Sequence, residues 1–516
     1  KLARTFSSPD PGMSTDDLVS QLLQSQGSSI VISGSNDTGI QLIVNAINVM
    51  LGNYGNTIDL GTPLLSRKGR DAETYALIER IRNNQVGGVI FYDVNPVYDF
   101  PLGEELEQLI TQCELVVSLA THKNETAEAS QYVCPDNHFL ESWNDAEIKP
   151  GMLTLSQPAI RQLFPTRQAQ ESLLIWSGNP IPFQQYLKTN WRENMFANTG
   201  EGFENFWIKC LQDGVYNKNV NRKSQPAFQS TGLEEAFADF PGNSNKFELS
   251  FYYKVGPGSG KHANNPWLQE LPDPVTRSAW DNYLCVSPGD ASANDWKTGD
   301  LVSVDNKITI PVFVQPGQAK GTLSVALGYG RKAAGKAGEG VGQNFASFVR
   351  AEKGNRQNIT SIESVTKTGG TYSLALTQMH HSMEGRAIIR SAPMREFLKD
   401  PAAGNEMHSE ITKTNTSIYP KHVYKGHHWG MAIDLSKCTG CSACVVACTV
   451  ENNVPVVGRK EVLRSHEMHW IRIDRYYEGE AENPEVYRQP VLCQHCDNAP
   501  CENVCPVAAT THSDEG

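Results

Sequence analysis

The chain has 516 residues, of which 39% are hydrophobic and 20% charged, and its formal net charge is −12. At roughly 150 residues per domain this allows about three or four domains, each with its own core. The acidic balance excludes nucleic acid as a bulk partner, because phosphate binding needs concentrated Lys and Arg. No stretch approaches the roughly 20 apolar residues of a membrane-spanning helix.

In chain order, residues 1–26 are a polar lead-in whose latter part predicts one short helix capped by Ser14 or Thr15. "SSIVIS" (28–33) predicts a buried strand, followed by the turn "GSNDTG" and the helical run "IQLIVNAINVML". The alternation continues with a helix in "AETYALIERIRNN", a strand in "GGVIFYD" (87–93) and a helix in "EELEQLITQC". Further strands are expected in "LVVSLA" (115–120) and "LLIWSG" (173–178). Strands alternating with amphipathic helices predict a doubly wound parallel sheet over residues 1–245. From 246 to 394 the texture changes to short β runs, "FELSFYYKV", "DLVSVDNKITIPVFV" and "GTLSVALGYG", broken by Gly, Pro and Asn turns. These predict a β-barrel or sandwich domain, with "GRKAAGKAGEGVGQ" (330–343) as a Gly-rich basic loop within it. Residues 395–428 are polar and irregular, as a linker would be, and 429–516 form a cysteine-rich domain. The chain starts without an initiator Met and stops just after a cysteine motif, so it is expected to continue in nature beyond Gly516.

Eight of the 12 cysteines lie between 438 and 505. The first motif is Cys438-x2-Cys441-x2-Cys444-x3-Cys448, and the second is Cys493-x2-Cys496-x4-Cys501-x3-Cys505-Pro506. Three closely spaced thiolates suit three irons of one cubane, and the fourth, three residues on at a helix start, commonly ligates a neighbouring cluster. A proline after it is expected to open that helix. Structural zinc usually takes two separated pairs and has no use for a third cysteine at this spacing. Four cysteines crowded into one loop and helix seldom meet the geometry of disulfides. No C-x-x-C-H is present, so the chain carries no c-type haem site. The pattern therefore points to a ferredoxin-like iron–sulfur domain. Its ligand count closes only if the motifs exchange their fourth cysteines or further motifs follow. The isolated Cys113, Cys134, Cys210 and Cys285 read as buried hydrophobes. His466 and His469 lack an accompanying ligand set, and His495 and Lys437 read as ordinary polar neighbours of the cysteine loops.

The cysteine-rich tail resembles the four-cluster ferredoxin subunits that accompany polysulfide, nitrate and DMSO reductases. In that family the first motif pairs with the fourth and the second with the third, and the two motifs here match the first and second. "GSNDTGIQLIVNAINVMLGNYG", "YDVNPVYDFP" and "HKNETAEASQYVCPDNHFLESW" resemble the α/β domains of the molybdopterin-binding subunit of such enzymes. "KTGDLVSVDNKITIPVFVQPGQAKGTLSVALGYGR" resembles its dinucleotide-binding β-barrel. The fusion of the two halves, with "GKHANNPWLQELPDPVTRSAWDNY" (260–283), resembles the large iron–sulfur subunit of bacterial alternative complex III.

That resemblance implies an electron relay in a membrane-bound respiratory complex that oxidises quinol. It implies three 4Fe–4S clusters and one 3Fe–4S cluster, and a molybdopterin-like region without molybdenum cofactor that serves as scaffold. The implied partners are an integral membrane quinol-binding subunit, c-type haem subunits and a terminal oxidase, on the periplasmic face of the inner membrane. It implies no catalytic residues in the chain itself, and its metal ligands are the eight motif cysteines. Two alternatives stand beside this: an active molybdopterin oxidoreductase, in which "GSNDTG" cradles a phosphate at a helix N-terminus, and clusters with a purely structural role.

Overall fold

The computed structural model describes residues 15–66, 69–196, 202–218, 227–238, 247–352, 354–405, 425–427, 430–496 and 498–511. Ser14, offered as a cap, and much of the expected linker at 395–428 lie outside the described residues. The chain divides into two compact units. One comprises Lys1–Lys246, Lys332–Ala334 and Phe345–Ser361; the other comprises Phe247–Arg331, Gly335–Asn344 and Ile362–Gly516.

In the first unit the strands Gly88–Tyr92, Leu115–Leu119 and Tyr132–Val133 pair in parallel, in that order. The helices Asp71–Arg82 and Gly103–Ile110 cover the sheet. Ile78, Ile81, Leu106, Leu109 and Ile110 meet Val89, Phe91 and Val116 in one buried cluster. Alternate strand residues facing helix residues three and four apart is the pairing that the two periodicities allow. Because strand order follows sequence order, the sheet has no reversal point, and a doubly wound arrangement is not formed among the described residues.

Two runs expected as strands are otherwise used. Residues 28–33 form no strand. The side chain of Asn48, on the helix Thr38–Met50, accepts from Val31 N at 3.0 Å and donates to Val31 O at 2.7 Å. A side-chain amide thus satisfies the backbone groups that a neighbouring strand would have paired. The "LLIWSG" run lies instead in the helix Ala169–Trp176. A short apolar run carries no period that separates strand from helix. A second, antiparallel sheet of Asn144–Lys149, Met152–Ser156 and Val215–Asn217 packs Leu153 and Leu155 with Phe183, Leu187, Trp191, Trp207 and Cys210.

In the second unit one mixed sheet carries the strands Phe247–Tyr253, Thr322–Leu327, Leu284–Val286, Ile308–Val314, Asp300–Val304 and Val365–Thr371 in that order. Asp305 and Asn306, with φ of 47° and 54°, turn the hairpin between Asp300–Val304 and Ile308–Val314. Both residue types tolerate the left-handed conformation that such turns require. Val365–Thr371 pairs on one side only, so the sheet is open and the expected barrel does not close. Closure needs long, tilted strands with a consistent stagger, and the Leu284–Val286 strand has only 3 residues.

The cysteine-rich segment belongs to the same compact unit as this sheet. Its hairpin, Ile471–Glu478 with Glu485–Leu492, pairs in full register from Ile471↔Leu492 to Glu478↔Glu485. Gln378 clamps Arg475 through two bonds of 2.8 Å, one to its carbonyl and one from its amide. Gln315 Nε2 donates to the Tyr477 hydroxyl at 2.6 Å, and Gly317 N to Ala481 O at 2.8 Å. No helix among the described residues is long and apolar enough to cross a membrane.

Candidate metal centre

The first motif enters the helix Ala443–Glu451, which holds Cys444 and Cys448 one turn apart on one side. The buried residues Val445 and Thr449 lie on another face of that helix, and Val445 packs with Leu271 and Ile473. Packing of that apolar stripe leaves the cysteines available: Cys441 and Cys444 are exposed, Cys438 and Cys448 half-buried. Cys448 sits in the body of the helix rather than at its start.

The second motif differs from expectation in the same respect. Its helix is Pro500–Val504, with Pro500 in the first turn, and it precedes Cys505 and Pro506. Cys505 is extended, with φ −76° and ψ 117°, as a residue before proline is forced to be. Pro506 therefore follows the helix instead of opening it. Cys493, Cys496 and Cys501 are exposed and Cys505 is half-buried.

Both motifs share a backbone device. The residue before the second cysteine adopts positive φ in each, Gly440 at 72° and His495 at 49°. A left-handed residue there curls the C-x-x-C loop back on itself. Backbone amides then point at sulfur. The N–H of Ala443, followed by the Thr439 side chain, lowers the Cys441 pKa. The N–H of Ala509, at 3.2 Å from Cys505 Sγ, heads a group of amides that lowers the Cys505 pKa. Asn452 Nδ2 donates to Cys448 O at 2.9 Å and lies 3.5 Å from Cys448 Sγ. Hydrogen bonds to the charged form favour thiolate, which is the form that ligates metal.

Among the described residues no three His, Cys, Asp or Glu side chains are gathered closely enough to hold a single metal ion. The donor chemistry, the paired left-handed residues and the N–H groups directed at sulfur nevertheless fit thiolate-held clusters.

The other candidates separate. His466 Nδ1 lies 2.8 Å from Glu461 Oε2. His469 is half-buried, with burial and then Arg277 lowering its pKa. Lys437 Nζ stands 3.9 Å from Asp434. Cys113, Cys210 and Cys285 are buried and Cys134 is half-buried. Burial pushes the Cys285 thiol up to about 12. In the "GSNDTG" turn the Asp37 carboxylate accepts from Ile40 N at 2.8 Å, so an acidic side chain occupies the helix end where a phosphate would bind.

Sequence reasoning missed the residues that hold the cysteine segment. Glu270, 3% exposed, accepts from the amides of Val457 at 3.0 Å and Gly458 at 2.7 Å. Trp267 Nε1 donates to Val454 O at 2.8 Å, and Arg459 pairs with Asp281 at 2.7 Å. All three partners from the β region lie within the 260–283 stretch, but no local pattern marks a contact 187 residues away.

Residues 437–509 match the family described as 4Fe-4S dicluster domain. The C-terminal segment is a 4Fe-4S dicluster domain. Over 90 residues the chain is 39% identical to a tetrathionate reductase subunit of Salmonella typhimurium, covering 17% of this chain and 33% of that protein. It is 41% identical over 90 residues to the iron-sulfur cluster-binding subunit of menaquinone reductase from Nitratidesulfovibrio vulgaris, covering 17% and 34%. A third relative is Hdr-like menaquinol oxidoreductase iron-sulfur subunit 1 of Archaeoglobus fulgidus, 33% identical over 131 residues, covering 22% and 47%. The chain thus spans a third to a half of the length of these curated relatives. Among solved structures, acetylene hydratase from Pelobacter acetylenicus aligns with a TM-score of 0.38 and 13% identity, over 57% of this chain and 46% of that one. A likeness of that size carries no argument about fold.

Proposed function

We propose that this chain is an electron-transfer subunit of a membrane-associated quinol-oxidising complex of the alternative complex III type. What carries the reading is a pair of four-cysteine motifs inside a dicluster domain, in a chain whose relatives include subunits named for menaquinone reductase and menaquinol oxidoreductase. Cys438, Cys441, Cys444, Cys448, Cys493, Cys496, Cys501 and Cys505 would hold the clusters. Bound iron–sulfur clusters supply reversible one-electron chemistry at potentials set by hydrogen bonds, charge and burial.

The chain's own residues do the rest. The amides of Ala443 and Ala509 and the Asn452 side chain stabilise negative charge on sulfur. Val445, with Leu271 and Ile473, keeps water from the inner face of the cysteine-bearing helix. Glu270 and Trp267 fix the segment that leaves that helix. In this reading the upstream α/β region is a scaffold without molybdenum cofactor. The partners are a membrane quinol-binding subunit, c-type haem subunits and a terminal oxidase, on the periplasmic face, and the full complement is three 4Fe–4S clusters and one 3Fe–4S cluster.

The test is single Cys→Ser substitution in the full-length assembly, read by iron content, EPR spectrum and menaquinol oxidation. Loss of a cluster signal together with quinol-oxidising turnover supports the reading. Unchanged iron and spectra across the eight variants would refute the ligand assignment.

A further inference from the structure

The strand pair between the two motifs sets two arginines face to face. Arg475 and Arg488 are directly opposed in the hairpin register, and directly opposed residues project from the same face of an antiparallel pair. Two like charges there destabilise the hairpin. Ile473, two residues from Arg475 and therefore on that same face, packs on Val445 of the helix that bears Cys444 and Cys448. The face that presents both guanidinium groups is thus the one turned toward the first motif.

Arg488 reaches the motif itself. A Cβ built on Gly440 would collide with Arg488 Cδ and stand 2.8 Å from its Nε. The Arg488 side chain therefore lies against the loop between Cys438 and Cys441, where glycine provides both the space and the positive φ of 72°. Among the described residues no carboxylate forms an ion pair with Arg488. Arg475 is 1% exposed and its Nε has no hydrogen-bond partner; its guanidinium contacts His381 at 3.1 Å and the Tyr477 ring at 4.2 Å instead of a carboxylate.

Arg475 is buried and Arg488 opposite it is half-buried; the Asp273 carboxylate acts on Arg475 without an ion pair, so an anion at the Gly440 loop is favoured beside Arg488. A cluster held by cysteine thiolates is such an anion and gains one more negative charge on reduction. We propose that Arg488, backed by Arg475, is the residue that sets the reduction potential of the cluster held by the first motif, by stabilising its reduced state. This rests on the reading that Cys438, Cys441 and Cys444 ligate that cluster. Arg488 acts through its charge and not as a ligand.

The experiment is an EPR-monitored redox titration of the full-length assembly carrying Arg488→Met or Arg488→Lys, with iron content measured in parallel. Arg488→Met should keep its iron and shift the one-electron equilibrium on the order of tenfold toward the oxidised state, a drop of about 59 mV. Arg488→Lys retains the charge and should titrate close to wild type. An Arg488→Met protein with full iron and an unshifted potential overturns the proposal. So does an Arg488→Lys shift as large as that of the Met variant, which assigns the effect to packing. If Met disturbs the loop and loses iron, Arg488→Gln is titrated in its place under the same criterion. Cys441→Ser separates the two readings: unchanged iron and spectra in that variant would refute cluster ligation by the first motif.

Discussion

The hold of Glu270 on the cysteine segment can be tested quantitatively. Its carboxylate is 3% exposed and accepts two backbone N–H groups, at 3.0 and 2.7 Å, just downstream of the helix that bears Cys444 and Cys448. Glu270→Ala removes both acceptors from the half-buried amides of Val457 and Gly458. Hydrogen bonds to a charged group contribute about 1.5–3 kcal/mol each. The pair is therefore worth about 3–4.5 kcal/mol, taking the lower half of the doubled range because the segment can relax. Glu270→Gln keeps the shape and one acceptor, so its loss should be about half as large. Unfolding of a chain with bound clusters is expected to be irreversible, so the readout is the calorimetric midpoint at a fixed scan rate together with the rate of iron release. At about 2–4 °C per kcal/mol for a unit of this size, Glu270→Ala should lower the midpoint by about 10 °C, and Glu270→Gln by about 5 °C. Iron release should quicken in the same order. A shift below about 2 °C for the alanine variant, or a glutamine variant as damaging as alanine, would refute the reasoning.

Two further outcomes follow from other sites. Lys254 is buried over the Tyr283 ring at 4.0 Å and donates to Asp281 O at 2.7 Å. Burial lowers its pKa from 10.5 to about 8, a gap equivalent to about 3 kcal/mol. Between those values the unfolded chain binds the proton and the folded chain does not, so stability should rise as pH increases above about 8. Cys285, whose thiol is held up to about 12, opposes that rise above its ordinary value of 9, so the clean window is pH 8 to 9. Calorimetric midpoints across that window should climb in the wild type and stay flat in Lys254→Met; equal slopes would contradict the assignment. Gly440→Ala places a Cβ at φ 72° and against the Arg488 side chain. It should cost about 1–2 kcal/mol and diminish the EPR signal of the first-motif cluster, whereas full signal at wild-type stability would show that the loop does not need glycine.

The sequence made local structure legible where period and punctuation agreed. The helices Thr38–Met50, Asp71–Arg82 and Gly103–Ile110 and the strands Gly88–Tyr92 and Leu115–Leu119 lie where apolar spacing placed them. The hairpin turn at Asp305–Asn306 follows from residue type. The failures have physical causes that no window of sequence contains. Residues 28–33 look like a strand, but a side chain on the following helix satisfies the Val31 backbone. The expected barrel needed a pairing between edge strands, which is a property of register over the whole sheet. The cysteine motifs could be read because metal ligation imposes a spacing. Glu270, Arg475 and Arg488 could not, since an acidic residue in "ELPDP" and arginines in a polar hairpin differ from solvated surface charges only once the chain has folded.

The central claim is that the motif cysteines hold electron-transferring clusters on a scaffold that has no molybdenum cofactor. Elemental analysis of iron, molybdenum, tungsten and zinc in the purified full-length assembly tests it most directly. Three 4Fe–4S clusters and one 3Fe–4S cluster predict about 15 irons per polypeptide, with neither molybdenum nor tungsten. Close to one molybdenum or tungsten per chain would contradict the scaffold reading, and zinc in place of iron would contradict the electron relay itself.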